Sequence, residues 1–394
     1  MVTVGCCNGK PSQSLVLEVR CDDKIIYNTI ILFSVAKLDI AIIIGTRPEA
    51  IKIWPVLIEA RRQKLNIALI TTNQQEHLLI ETLTDLEIEP DFVCAIPNLN
   101  GDISLFLAKA IIGLSDLLAR LNPRFVFVQG DTGTATAAAI AAHNLQIQVG
   151  HIEAGLRSGD LENPWPEEGN RRIIDSISSF LWRPSAEPHQ MLLQDQNQFV
   201  VGNTSIDALR MCLESNPEPN IETAHYILIT LHRRESFGDK MIAALNEIKK
   251  LADLTKLDLI FIEHPNPRVR EALDYVKIDA SNFKVIKPVP YKKFIKLLSK
   301  SSLVISDSGG IQEEATALGI PLLVVRDKTE RHEVVHNNPG ALVGSTAANL
   351  SAIALDTLNK TGIKNRVTAI VDTSFGDGFA SEKIIKSILQ KEYK

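Results

Sequence analysis

Carboxylates recur in three short stretches of the first half of the chain: Gln129-Gly130-Asp131-Thr132, His151-Ile152-Glu153-Ala154-Gly155-Leu156-Arg157 and Pro164-Trp165-Pro166-Glu167-Glu168. Acids crowded together raise one another's proton affinity, which suits proton transfer near neutral pH. The alternative is structural: Glu153 or Glu167 could pair with Arg157, Arg171 or Arg172. In the second half, Thr230-Leu231-His232-Arg233-Arg234-Glu235 places one histidine beside two cations. An imidazole there can exchange a proton in the physiological range, with the arginines available to a phosphate. His264-Pro265-Asn266-Pro267 reads as a turn.

Two further segments could hold an anion. Gly45-Thr46-Arg47-Pro48-Glu49-Ala50-Ile51-Lys52 has a glycine for a tight turn and a proline suited to a first helical position. Arg47 and Lys52 then sit beside a helix N-terminus, where phosphate is favoured. Ser306-Asp307-Ser308-Gly309-Gly310 precedes Ile311-Gln312-Glu313-Glu314, so backbone N–H groups can close on a diphosphate, with Glu314 available to ribose hydroxyls. Solvated charges on one turn and an ordinary glycine-rich turn are the bland readings. The second segment is not GxGxxG, so no nicotinamide cofactor is indicated.

The elements that must present these groups follow from periodicity. Apolar β-rich runs at 39–44, 67–71, 125–129 and 148–152 alternate with helical patterns, and runs at 226–230, 257–262, 303–305 and 321–325 repeat the scheme. This is α/β order, with two Rossmann-like domains facing across a cleft and the acids at strand carboxyl ends. The expected divisions are an extension at 1–37, domains at 38–203 and 204–375, and a C-terminal helix in 376–394. Residues 15–20 and 25–32 could form a small hairpin or belong to a leader. Lys292, Lys293 and Lys296 read as a solvated helix face with Phe294 turned inward.

At 394 residues the chain is long for one core. A formal charge of −5 without a basic stripe argues against nucleic acid or an acidic membrane as partner. Five cysteines, an odd number with no CxxC, support neither a disulfide framework nor structural zinc, and fit a reducing compartment. The longest apolar stretch, residues 25–36, is too short for a membrane span. It begins too late, after Asp22 and Asp23, to suit a signal peptide, so a cytoplasmic protein is expected.

The chain resembles the non-hydrolysing UDP-N-acetylglucosamine 2-epimerases. GTRPEAIK (45–52), GDT (130–132), HIEAGLRSGD (151–160), PWPEEGNR (164–171), HRRE (232–235), HPNP (264–267), SDSGGIQEE (306–314) and TER (329–331) occur in the family's order. The resemblance implies a glycosyltransferase-B-like fold, UDP held mainly by the second domain, a C-terminal helix packed back on the first, a homodimer, and no cofactor or metal. Carried over by position, it gives acid–base roles to Asp131, Glu153, Glu167 and His232. It gives nucleotide-sugar contacts to Arg47, Lys52, Phe294, Ser308, Gly309, Gly310, Glu314 and Arg331. Val289, Leu231 and His332 depart from the family pattern at positions that bear on substrate choice.

The implied reaction inverts carbon 2 of UDP-N-acetylglucosamine by loss and re-addition of UDP, through 2-acetamidoglucal. A glycosyltransferase of the same fold and an epimerase of a related UDP-amino sugar, such as a 2,3-diacetamido uronic acid, are the competing expectations. In many bacterial members a second substrate molecule activates the enzyme. Here the segment implied to hold it carries Gln74, Glu76 and His77, and Glu76 stands where a cation is common, so activation is expected to be weak.

Overall fold

Strands buried on both faces need apolar side chains in both directions, and the runs Ile40–Ile44 and Phe125–Gln129 are buried at every position. The structure, a computed structural model, describes residues 15–21, 24–30, 37–72, 74–96, 101–162, 164–185, 197–215, 225–233, 236–327, 340–362, 367 and 369–390. For residues 15–21 and 24–30, and for Glu76, it describes the backbone only. The chain forms two compact units whose main division in sequence falls between Phe199 and Val200, and an antiparallel hairpin, β1 (Leu15–Cys21) with β2 (Lys24–Ile30), opens the first.

The first unit runs β3 (Ile40–Ile44), α1 (Arg47–Arg62), β4 (Ile67–Thr71), α2 (Glu76–Leu86), β5 (Phe92–Val93), α3 (Ile103–Leu121), β6 (Phe125–Gln129), α4 (Gly133–Asn144), β7 (Gln148–Ile152), α5 (Glu167–Ile177), β8 (Phe180–Arg183) and β9 (Asn197–Val200). Its sheet has the order β5-β4-β3-β6-β7-β8-β9, and the pairings from β5 through β8 are parallel. The order therefore reverses between β3 and β6. The core beneath is made by β3, β6 and the alanine-rich α4, whose small side chains let α3 pack closely.

The second unit runs α6 (Thr204–Glu214), β10 (Tyr226–Thr230), α7 (Asp239–Leu254), β11 (Asp258–Ile262), α8 (Pro267–Val276), β12 (Phe283–Ile286), α9 (Tyr291–Lys300), β13 (Leu303–Ser306), α10 (Gly309–Ala317), β14 (Leu322–Val324), β15 (Ala341–Leu342), α11 (Leu350–Thr361) and α12 (Ala380–Leu389). Its sheet order, β12-β11-β10-β13-β14-β15, repeats the pattern of the first, and all its pairings are parallel. Both sheets thus have the doubly wound order with a switch point where ligands bind outside the strand ends. At β3/β6 those ends are Gly45 and Gly130–Asp131; at β10/β13 they are His232 and Asp307.

The C-terminal helix α12 is bonded at its start to α6, where Asp207 accepts from the Ala380 and Ser381 amides at 3.0 and 2.7 Å. Next to it, Gly202 and Gly376 approach so closely that a Cβ on either would lie 2.9 Å from the other's Cα, and both have positive φ.

Candidate active site

Of the three candidate acids of the first unit, Glu153 and Asp131 each meet a cation. Glu153 follows β7 directly, in left-handed backbone at φ 70, a conformation costly for a residue with a side chain. Lys52, on the second turn of α1, donates to both its oxygens at 2.7 and 2.6 Å, and Gln129 Nε2 at the end of β6 donates to Oε2. Lys52 therefore meets an acid in this structure, where the sequence suggested a phosphate. Asp131, two residues beyond β6, receives Arg171 Nε at 2.8 Å and its terminal nitrogen at 2.7 Å on Oδ2, while Asn170 Nδ2 holds its carbonyl at 2.8 Å.

Glu167 opens α5, and its buried Oε2 has no hydrogen-bond partner among the described residues. Its neighbour Glu168 is the structural one of the pair, fully buried, bonded to the Ser158 amide and to Arg172. Of the arginines that could have neutralised Glu153 or Glu167, Arg157 goes to Asp175, Arg171 to Asp131 and Arg172 to Glu168.

Behind these acids lie two buried bonding groups. His151 Nδ1 meets Asp175 Oδ1 at 2.6 Å and Nε2 meets the Gly130 carbonyl at 2.8 Å. Burial alone would raise the Asp175 carboxyl, but His151 and Arg157 more than offset it and hold it below the ordinary range. Glu49 links the two turns at the switch point. Its Oε2 accepts from the Gly45 and Thr46 amides at 2.9 and 2.7 Å, and its Oε1 from the Thr132 hydroxyl at 2.6 Å. Burial pushes this carboxyl up, with those bonds pulling back only in part. Gly45 has no room for a side chain, since a Cβ would overlap the Thr134 and Thr72 hydroxyls. Arg47, the first residue of α1, makes no hydrogen bond or ion pair among the described residues. Gln74 is engaged by the Thr134 amide and hydroxyl at 3.2 and 2.8 Å, and the side chain of Glu76 lies outside the described residues.

In the second unit Asp307, fully buried after β13, holds the turn that carries His232. It accepts from the His232 amide at 3.1 Å and the Arg233 amide at 2.9 Å, with His232 Nδ1 3.4 Å away. The His232 ring stacks on His264 at 5.3 Å between centroids, so the HPNP turn supports the histidine instead of merely bounding the site. Ser308 precedes α10 as its N-cap without using its hydroxyl to cap. Gly310 has ordinary backbone, and a Cβ there would meet nothing within 4 Å. Neither conformation nor packing demands glycine at that position. Glu314 is buried, with Oε1 accepting from Tyr291 Oη at 2.8 Å, and Phe294 is half-buried on α9. Arg331 and His332 lie outside the described residues.

A family model described as UDP-N-acetylglucosamine 2-epimerase matches residues 58–389. The chain belongs to the UDP-N-acetylglucosamine 2-epimerase family. It is thus an enzyme of the isomerase class. A UDP-N-acetylglucosamine 2-epimerase of Campylobacter jejuni is 34% identical over 373 residues, 89% of this chain and 97% of that protein. The crystal structure of the UDP-GlcNAc 2-epimerase from Neisseria meningitidis bound to UDP-GlcNAc is 35% identical, with a TM-score of 0.81 over 89% of this chain and all of that one. MurG of Acinetobacter baumannii, 14% identical with a TM-score of 0.56, shares the fold alone, which is glycosyltransferase-B-like.

For this epimerase family member, sequence reading missed Gln129, Asp307 and Glu49 as parts of the site. All three stood inside the quoted stretches. Thr46 and Glu49 carry the local capping-box signature, but nothing local shows that Glu49 also meets the Thr132 hydroxyl or that Asp307 takes the His232 and Arg233 amides of a neighbouring strand end. Among the described residues no group of three or more His, Cys, Asp or Glu converges as metal ligands would, and no described helix is long and apolar enough to cross a membrane.

Proposed function

We propose that the chain interconverts UDP-N-acetylglucosamine and UDP-N-acetylmannosamine without releasing the sugar. The hydrogen on carbon 2 has no adjacent carbonyl, so a base alone removes it too slowly. As the bond from carbon 1 to the UDP oxygen breaks, positive charge at carbon 1 acidifies that hydrogen. One carboxylate takes the proton, the electron pair forms the double bond of 2-acetamidoglucal, and UDP keeps the electrons of the broken bond. A proton from an acid on the opposite face then returns to carbon 2 while the UDP oxygen re-bonds to carbon 1. The step therefore needs more than one acid–base group and a firm hold on the leaving diphosphate.

The observation that carries this reading is the set Asp131, Glu153 and Glu167. Two are acids paired with their own cations, and the third has a buried oxygen without a hydrogen-bond partner among the described residues. A glycosyl transfer that only positions a donor has no use for three acids so arranged. The leaving group is assigned to Ser308, Gly309, Gly310 and the α10 N-terminus, with Arg47, Lys52, Phe294, Glu314 and Arg331 as further nucleotide-sugar contacts. His232, oriented by Asp307, serves as acid–base group beside the diphosphate. The reading places the enzyme in the cytoplasm as a homodimer. Incubation of the purified protein with UDP-N-acetylglucosamine in deuterium oxide should give both epimers carrying deuterium at carbon 2. An epimer that kept its original hydrogen would sink the elimination.

A further inference from the structure

His151 lies at the centre of a buried chain that ends one peptide bond from Asp131. Its side chain is fully buried in the middle of the first unit's sheet, on β7. Nε2 faces the carbonyl of Gly130, an oxygen that can only accept, so this nitrogen bears a proton. Nδ1 faces Asp175 at a distance that needs a proton between the two atoms. Asp175 is in turn engaged by Arg157 at 2.6 Å and by the Gly155 amide at 3.1 Å, contacts that favour a charged carboxylate. The ring is therefore a donor on both sides. Gly130 itself has left-handed backbone at φ 70, and its amide donates to Ile152 at 3.0 Å. The turn that aims Asp131 thus has a soft, glycine-type backbone, and the imidazole grips its carbonyl.

We propose that His151 is a positioning residue for Asp131, holding the Gly130–Asp131 peptide through Nε2 while Asp175 and Arg157 fix the ring. The proposal rests on the acid–base role given to Asp131 above. Arg171 and Asn170 hold the side chain and carbonyl of Asp131 from α5, and Asp175 lies on that same helix. His151 thereby ties α5 to the far side of the turn as well. The carboxylate is clamped from both directions, and a small misplacement of such a group can cost about 100-fold in rate.

Two substitutions separate the two ring contacts. In His151→Asn the amide stands near the place of Nδ1 and keeps Asp175 while the Gly130 contact is lost. In His151→Gln the amide reaches the place of Nε2 and keeps Gly130. Neither strands a buried charge, because Asp175 retains Arg157 and Gly155. Turnover, KM, melting temperature and deuterium incorporation at carbon 2 are measured for wild type and both variants. The expected result is that Asn lowers kcat by about 10- to 100-fold with KM changed less than about threefold, and that Gln restores kcat to within about fivefold of wild type. Equal losses in the two variants, or losses that follow the folded fraction, would overturn the proposal. Should the Asn variant not fold, Gln alone decides: a kcat within about fivefold of wild type supports it, and a larger loss at unchanged melting temperature overturns it. Absence of epimerisation by wild type would instead count against the activity assigned above, whatever the variants do.

Discussion

Asp131, Glu153 and Glu167 bear the same functional group in three settings, and the settings separate their chemistry. Glu153 shares Lys52 and Gln129, Asp131 is held by Arg171, and Glu167 keeps one oxygen unbonded among the described residues. Asp131 and Glu153 thus each have a cation of their own within hydrogen-bond reach. Asp131→Asn and Glu153→Gln should each cut turnover by about 10²–10⁴-fold, the usual value of a general acid or base. Calorimetric titration with UDP should show affinity little changed in both. Near-normal turnover of Glu153→Gln would remove that residue from the acid–base set.

At the scale of the element, helix N-termini and helix ties decide what the side chains meet. Gly310 sits in the first turn of α10 with open space around its missing Cβ. Alanine there should hold or raise the melting temperature, since replacing a helical glycine gains about 0.5–1 kcal/mol. On the proposed assignment the same methyl blocks the diphosphate's approach to the amides, so UDP affinity should fall by about tenfold, or 1.4 kcal/mol. Weakened folding with unchanged UDP binding would reverse the assignment. On α5, Asp175 has a folded-state pKa below its unfolded value, with His151 and Arg157 outweighing burial. Its stabilisation is therefore full above the unfolded aspartate value, about 3.9, and is lost as pH falls through the folded one. Asp175→Asn should lower the melting temperature at neutral pH and flatten the acid limb below about pH 4. A mutant curve parallel to wild type throughout would contradict this.

Over the whole molecule, the doubly wound sheet order occurs twice, and each copy bears its candidate site residues at its own switch point. The acids belong to one unit and the glycine-rich helix start to the other, so acid–base work and diphosphate binding can be lost separately by mutation. The hairpin β1–β2 stands before this arrangement and contributes none of the site residues. Removal of residues 1–36 should leave UDP affinity and turnover within about twofold of the full chain. An insoluble or inactive truncation would show that the hairpin completes the fold or an interface. Sedimentation of either form should give twice the mass of one chain if the homodimer holds.

The class of chemistry, the family and most of the central strands were legible in residue order. Runs such as Ile40–Ile44 are apolar at every position because both faces are covered, and that pattern needs no partner to be seen. Two-residue strands such as β5 and β15 are too short to carry a period, so they were not legible. The motifs named the acids because functional groups at strand ends are local features. Their partners were decided only by the tertiary structure. Lys52 and Glu153 are 101 positions apart, and Asp307 reaches His232 across 75. Those contacts exist because sheet order sets β3 and β13 beside strands distant in sequence, and a carboxylate takes whichever donor that order brings within reach.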